Sequence, residues 1–295
     1  MKKLFAIILF SLTLIFIPSH SKAQEDFHID CKGGAILLEF HTSKEIYAQD
    51  ADKRWSPASI TKIMTSIIAL ESGNLNEEIR FSANAVKQEK SNLGLKEGVR
   101  VPLYRLIEAM LVKSGNDASV AIAEHIAGSE DKFAELMNEK AKSLGMFNTN
   151  FTNASGLPDD AQYSTARDLA ILSVYAMGRS EFSRIVGLSE LEFINEDATK
   201  DQTLYTTNQL IGRHPLVDGI KTGFTNKARR CLAASAVFRD YKLISVVLGA
   251  ENPQVWFETE KLLDYGFKLK DPLYPLYRDF KLEIPFDKEN DEDTG

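Results

Sequence analysis

The stretch SPASITKIMTSIIALESG, residues 56–73, combines a helical pattern with a pair of reactive side chains. Apolar residues recur with a 3.6-residue period after Lys62, and the run stops at Gly73. Ser59 and Lys62 stand three residues apart at the start of this run, so they share one helix face. The free amides and the dipole of a helix N-terminus favour negative charge developing on the Ser59 oxygen. The stretch therefore predicts a helix that brings the Lys62 amine close to the Ser59 hydroxyl.

This pair has a defined chemical use. A serine hydroxyl is a weak nucleophile until a base takes its proton. A lysine whose pKa is lowered by burial can be that base. The Ser-x-x-Lys pattern is common, however, and Ser19-His-Ser-Lys22 matches it as well. The assignment of Ser59 and Lys62 as catalytic residues therefore depends on further motifs.

The second motif is Ser114-Gly-Asn116, which lies between two amphipathic runs, 104–112 and 120–126. A loop between two helices can present a hydroxyl and an amide to a cleft, so Ser114 and Asn116 are candidate catalytic residues. Ser72-Gly-Asn74 and Ser82-Ala-Asn84 match Ser-x-Asn too, but their positions are typical of a helix end and a helix cap.

The third motif is Lys221-Thr222-Gly223, followed by Phe224, within the run 217–225. On a strand at the edge of a sheet, the lysine and threonine supply a cation and a hydroxyl for a substrate carboxylate. The glycine lets a substrate backbone approach closely. The alternative interpretation is an exposed strand followed by a basic turn at 227–230.

The predicted fold class is α/β. Apolar β-type runs at 33–40 and 45–48, and again at 232–238 and 243–248, predict one hairpin near each end of the chain. Between them the pattern is helical, with a capping box at Thr165 and Asp168, and a closing helix is predicted at 255–263. We expect an antiparallel sheet built from both chain ends and flanked by helices, with a mainly helical inserted lobe.

The two ends of the chain have compositions that differ from that of the middle. Residues 1–23 have the basic start, apolar run and small-residue site of a secretory signal peptide. Residues 24–270 are predicted to form the folded domain, and 271–295 a partly ordered acidic tail. Removal of 1–23 would take three lysines and change the net charge from −7 to −10. Such an acidic protein is a poor match for nucleic acid or an anionic membrane surface.

Several classes of site have no support in the sequence. There is no His-Glu-x-x-His motif, no Cys/His cluster and no phosphate-binding glycine loop, so no metal or cofactor is expected. The two cysteines, Cys31 and Cys231, can form a disulfide in an oxidising compartment. Both flank apolar runs, which favours two free thiols.

The three motifs in this order resemble the penicillin-recognising serine enzymes, which include the penicillin-binding proteins and the serine β-lactamases. Longer stretches resemble the low-molecular-mass D-alanyl-D-alanine carboxypeptidases in particular. The resemblance runs from about Gly34 to Phe267, and its most specific stretches are 56–65, 114–119, 153–158, 164–170 and 218–225.

The resemblance implies a β-lactamase/transpeptidase-like fold and a role for each matched residue. Ser59 would attack the D-Ala-D-Ala carbonyl of a peptidoglycan stem peptide, with Lys62 as its base. Ser114 would relay a proton to the leaving D-alanine, and Asn116 would hold Lys62 and the substrate amide. Lys221 and Thr222 would bind the terminal carboxylate. The amides of Ser59 and Phe224 would form the oxyanion hole beside Gly223, and β-lactams would acylate Ser59.

The sequence departs from the family pattern in two places. Relatives often carry an arginine just before the last helix that supports carboxylate binding, whereas residues 252–256 read Asn-Pro-Gln-Val-Trp. Many relatives also add a second domain and a membrane helix after it. The shorter chain favours either a periplasmic form without an evident anchor or a truncated sequence.

Two other activities remain as alternatives. A D,D-endopeptidase that cuts peptidoglycan crosslinks shares the Lys-Thr-Gly-Phe-Thr stretch with a following Arg-Cys-Leu. A serine β-lactamase needs a carboxylate loop of the type Glu-x-x-Leu-Asn, and Glu192-Phe-Ile-Asn195 is one residue short of it. Carboxypeptidase activity is the favoured prediction.

Overall fold

A five-stranded antiparallel sheet assembled from the two ends of the chain forms the centre of the fold. The computed structural model describes residues 27–89, 91–193 and 201–275. The strand order is β2-β1-β9-β8-β7, so the N-terminal hairpin lies beside the last strand. The strands are β1 Gly34–Glu39, β2 Glu45–Gln49, β7 Val217–Thr225, β8 Arg229–Phe238 and β9 Tyr241–Ala250. Both predicted hairpins are confirmed.

The sheet is buried on both faces because its central strands are mostly apolar. All six residues of β1 are buried. Since successive side chains point to opposite faces, Ile36 packs into one hydrophobic cluster and Leu37 into another. Helix α5, Ala166–Met177, covers the first face, and helix α7, Gln254–Lys270, covers the second. The sheet therefore lies between two helical layers.

The segment between the two hairpins forms the predicted, mainly helical lobe. Its remaining helices are α1 Lys62–Glu71, α2 Leu103–Lys113, α3 Asn116–Ala127, α4 Glu130–Ser143 and α6 Ser180–Val186. Two small antiparallel ribbons also belong to it, β3 Glu78–Arg80 with β4 Arg100–Pro102, and β5 Glu190–Phe193 with β6 Gln202–Tyr205. The ribbons and α6 were not predicted, because elements of three to seven residues are too short to show a period.

The helix signals around α5 are partly as predicted. The Thr165 hydroxyl accepts a hydrogen bond from the Asp168 amide at 3.0 Å, which confirms Thr165 as the N-cap. The Asp168 carboxylate does not reach back to complete a capping box. It accepts instead from the Asn148 amide at 2.8 Å and the Thr149 hydroxyl at 2.7 Å. The residue therefore ties the loop before α5 to the helix start.

The ends of the described chain extend the core further than the sequence suggested. Helix α7 continues seven residues past the predicted end at Leu263. Tyr274 is fully buried, and its hydroxyl donates to Asp264 at 2.8 Å, so the core extends past residue 270 to Tyr274. The signal peptide at 1–23 and the tail after 275 lie outside the described residues. No helix in the described ranges has the length and apolar character to cross a bilayer.

Candidate active site

Ser59 lies in a 3-10 turn, residues 58–61, that leads directly into α1. The prediction placed it in the first turn of the α-helix itself. A 3-10 turn aligns side chains three residues apart more closely than an α-helix does, and Lys62 Nζ lies 3.0 Å from Ser59 Oγ. Ala58, just before the nucleophile, has a positive φ of 48°. A non-glycine residue in this region stores strain, as is common at functional sites.

Lys62 is the most constrained side chain of the site. It is completely buried, and Nζ donates to Asn116 Oδ1 at 2.7 Å and to the Ser155 carbonyl at 2.6 Å. Burial lowers the pKa of Lys62 well below its ordinary value, and the nearby charge of Lys221 lowers it further. Asp117 and Glu130 act in the opposite direction, but burial dominates. An amine that loses its proton this readily can serve as a base.

The Ser155 carbonyl was not among the predicted site atoms, although residues 153–158 were noted as a family-like stretch. Its position is fixed by the neighbouring Ala154. The Thr65 hydroxyl donates to the Ala154 carbonyl at 2.6 Å, and the Ala154 amide donates to the Glu130 carboxylate at 3.0 Å. Helices α1 and α4 thus clamp this loop so that its next carbonyl accepts from Lys62.

Gly156 lets the same loop pass against the nucleophile segment. It has a φ of +87°, and a Cβ there would overlap the Ala58 carbonyl. We predict that Gly156→Ala lowers stability by about 1–2 kcal/mol for the left-handed backbone and by about 1–3 kcal/mol more for the overlap. Acylation of Ser59 should slow as well, since the Ser155 carbonyl must move.

Gly145→Ala is the matched control for this prediction. Gly145 has a φ of +82°, but a Cβ there would meet nothing within 4 Å. Urea unfolding of both variants separates the two costs, and labelled penicillin reports the acylation rate. Equal stability and equal acylation in the two variants would contradict the close approach at Gly156.

The second motif connects α2 to α3. Ser114 ends α2 in a left-handed conformation with φ of 68°, and Asn116 begins α3. The Asn116 amide donates to the Ser91 carbonyl at 2.7 Å, and its side-chain Nδ2 donates to the Glu89 carbonyl at 3.0 Å. Asp117 is buried and accepts from the Leu93 amide at 2.8 Å. The loop before β4 therefore holds the start of α3 in place.

The third motif lies on β7, at the edge of the sheet as predicted. Thr222 faces the cleft, and its hydroxyl lies 2.6 Å from that of Thr207. Lys221 is 1% exposed and donates to the Thr222 carbonyl at 3.2 Å. Burial lowers the pKa of Lys221 to about 7. A Cβ on Gly223 would lie 3.0 Å from the Pro57 carbonyl, so the glycine lets β7 run beside the Ser59 segment.

All three motifs meet at one cleft of about 530 Å³. Of the predicted site residues, six line it: Ser59, Ser114, Asn116, Thr222, Gly223 and Phe224. Lys62 and Lys221 lie behind its walls. The alternative serines lie elsewhere: Ser72 caps the end of α1, and the Ser82 hydroxyl accepts from the Ala85 amide. The cleft thus pairs a hydroxyl and its buried amine with a strand edge.

The remaining predictions are resolved by the surrounding structure. Cys31 and Cys231 are free thiols, and burial raises the pKa of Cys31 to about 11 and that of Cys231 to about 12.

Glu192, the first residue of the β-lactamase-like stretch, lies on β5 and accepts from the Thr203 hydroxyl at 2.9 Å. It does not line the cleft; the two residues that complete the stretch, 194 and 195, lie outside the described ranges.

Comparison with known proteins identifies the family of this chain. Residues 20–252 match the family of D-alanyl-D-alanine carboxypeptidases. The chain is 36% identical to the D-alanyl-D-alanine carboxypeptidase DacF of Bacillus subtilis over 290 residues, covering 94% of this chain and 74% of that protein. It is 37% identical to DacA of Escherichia coli over 254 residues, covering 82% of this chain but 62% of that longer protein.

A solved structure gives the same picture. The D-alanyl-D-alanine carboxypeptidase DacD of Francisella tularensis superimposes with a TM-score of 0.76 at 29% identity, covering 86% of this chain and 76% of that one. The fold and the site together define a serine-type peptidase of the penicillin-binding class. More narrowly, the chain belongs to the D-alanyl-D-alanine carboxypeptidase family.

Proposed function

We propose that the protein removes the terminal D-alanine from peptidoglycan stem pentapeptides through an acyl-enzyme on Ser59. The observation that carries this proposal is the set of contacts around Lys62 Nζ: Ser59 Oγ at 3.0 Å, Asn116 Oδ1 at 2.7 Å and the Ser155 carbonyl at 2.6 Å. Family membership supplies the substrate class, since the relatives are named D-alanyl-D-alanine carboxypeptidases.

These contacts support Lys62 as the group that takes the proton of Ser59. A neutral amine has two N–H donors and one lone pair. The Asn116 and Ser155 oxygens can accept but cannot donate, so they take the two N–H groups. The lone pair is then left facing Ser59, the one partner of the three whose oxygen carries a hydrogen. The site therefore orients a neutral Lys62 as the base for Ser59.

The reaction proceeds in two steps, acylation of Ser59 and hydrolysis of the acyl-enzyme. Ser59 Oγ attacks the carbonyl carbon of the penultimate D-alanine while its proton passes to Lys62. The amides of Ser59 and Phe224 stabilise the oxyanion. The C–N bond then breaks as Ser114 passes a proton to the nitrogen of the departing D-alanine and takes one from protonated Lys62, which becomes neutral again. Water attacks the ester, releases the shortened peptide and restores the Ser59 hydroxyl.

The walls of the cleft support recognition of a peptide with a free carboxyl end. Thr222 offers its hydroxyl from the strand edge, and Lys221 places a cation behind it. Asn116 would contact the substrate amide. A β-lactam presents a strained amide and a carboxylate in the same places, so it would acylate Ser59 and leave slowly. The leader-like residues 1–23 support secretion to the periplasm.

The decisive experiment compares two substrates of the native enzyme. We expect D-alanine release from a stem pentapeptide to be at least tenfold faster than cleavage of a crosslinked stem dimer, because the cleft supplies a cation and hydroxyls for a terminal carboxylate. Both products are measured by mass spectrometry. Crosslink cleavage without D-alanine release would instead assign the protein as a D,D-endopeptidase.

A further inference from the structure

The start of the last helix places a tryptophan at the cleft. Trp256 lies in the first turn of α7, is 4% exposed and lines the cleft. Its indole Nε1 is buried with no acceptor among the described residues. An indole can donate one hydrogen bond but carries no charge. A positive charge that binds the substrate carboxylate must therefore come from an element other than the start of α7.

Arg230, on β8, brings a guanidinium to the same cleft. In the sheet register it stands opposite Phe224, and directly opposed residues project to the same face. Its guanidinium carbon lies 4.5 Å from the centre of the Phe224 ring. Thr222 is two residues before Phe224 on that face, about 7 Å along the strand. Arg230 thus lies diagonally across the sheet from Thr222, whose hydroxyl is proposed to bind the substrate carboxylate.

The charge of Arg230 is not used within the described structure. Its neighbour Arg229 forms an ion pair with Glu251, whereas no carboxylate of the described residues lies within ion-pair distance of Arg230. Arg230 Nε is buried and has no acceptor among the described residues. The charged residues that line the cleft are Lys113 and Arg230, both cationic. A guanidinium that lies over an aromatic ring and has no carboxylate partner in the described structure can bind an external anion.

We propose that Arg230 binds the terminal carboxylate of the substrate together with Thr222. This inference rests on the proposed function and adds a specificity-determining residue to it. A guanidinium can donate two parallel hydrogen bonds to one carboxylate. Trp256 forms part of the wall of the same cleft.

Lys221 alone provides an incomplete charge for the carboxylate. It is 1% exposed, and because burial lowers its pKa to about 7, a large fraction is neutral at neutral pH. Arginine keeps its charge throughout the range in which proteins are stable. Arg230 therefore maintains carboxylate binding under the conditions in which Lys62 must be neutral to act as a base.

The test uses two thioesters of the same acyl-D-alanine, one with thioglycolate and one with thioglycolamide as the leaving thiol. In Arg230→Gln we expect kcat/KM for the carboxylate ester to fall about tenfold, mainly through KM, with the amide ester within twofold of the native value. Arg229→Gln is the matched control, because it removes the same charge one residue away. Its kcat/KM for both esters should stay within twofold of the native values.

The ratio of the two esters distinguishes recognition from folding. An Arg230→Gln variant that slows both esters equally, or neither, overturns the proposal, because only a carboxylate contact changes the ratio. The proposed function is tested separately by the native enzyme. Native protein that hydrolyses neither ester would overturn the proposed acyl-enzyme chemistry, whatever the variants do.

Discussion

Ser59→Ala is expected to abolish covalent penicillin binding and to reduce D-alanine release by on the order of 10⁴-fold or more. The substitution removes the oxygen that forms the acyl-enzyme, and no step of the proposed reaction proceeds without that ester. The fold should be unaffected, because Ser59 Oγ has one hydrogen-bond partner in the described structure, Lys62, which keeps Asn116 and Ser155. The adduct is measured by intact-protein mass spectrometry after incubation with labelled penicillin.

Ser72→Ala is the matched control for Ser59→Ala. Ser72 lies at the opposite end of α1, and its hydroxyl donates to the Ala69 carbonyl at 2.8 Å. It belongs to one of the Ser-x-Asn matches that the structure leaves outside the cleft, so acylation should remain at the native rate. A full adduct on Ser59→Ala protein would show that another residue is the nucleophile.

The central features of the fold could be predicted because they depend on side-chain patterns. The two hairpins alternate or run apolar in the sequence, and the sheet that joins them follows from burying both faces. The three motifs could be placed on a helix start, an inter-helix loop and a strand edge for the same reason. Their convergence on one cleft was implied by family resemblance, since spacing along the chain does not determine distance in space.

The parts of the site that escaped prediction are mostly backbone. The Ser155 carbonyl accepts from Lys62, yet every residue has a carbonyl, so no residue type identifies that one. The sequence marked this carbonyl only indirectly, through the glycine that follows it at position 156. The structure gives that glycine a positive φ. Arg230 escaped for another reason. The sequence placed it in a basic turn and in the Arg-Cys-Leu stretch shared with D,D-endopeptidases. The register of β8 against β7, which places it opposite Phe224, is a tertiary property.

Lys62→Met is expected to slow acylation of Ser59 by on the order of 10³-fold, because the variant has no group to take the hydroxyl proton. Lys62→Arg should be impaired to a similar degree, since a guanidinium stays protonated. In the native enzyme the acylation rate should rise with pH through the lowered pKa of Lys62, as the neutral amine forms. Stopped-flow measurement with a chromogenic β-lactam gives these rates; an Arg variant with native rates would exclude Lys62 as the base.

The same burial makes a second, independent prediction about stability. The folded protein disfavours protonated Lys62, while the unfolded chain binds that proton with the ordinary pKa of 10.5. Between the lowered pKa and 10.5 the unfolded state therefore holds more protons, and native stability rises with pH. Lys62→Met lacks this term, so its stability relative to the native protein should be greatest below the lowered pKa and should decline as pH rises toward 10.5. Urea unfolding across this range measures the slope. If the difference in unfolding free energy between Lys62→Met and the native protein does not change with pH, Lys62 keeps its ordinary pKa in the folded protein. Lys62 would then be protonated at neutral pH and could not act as the base for Ser59.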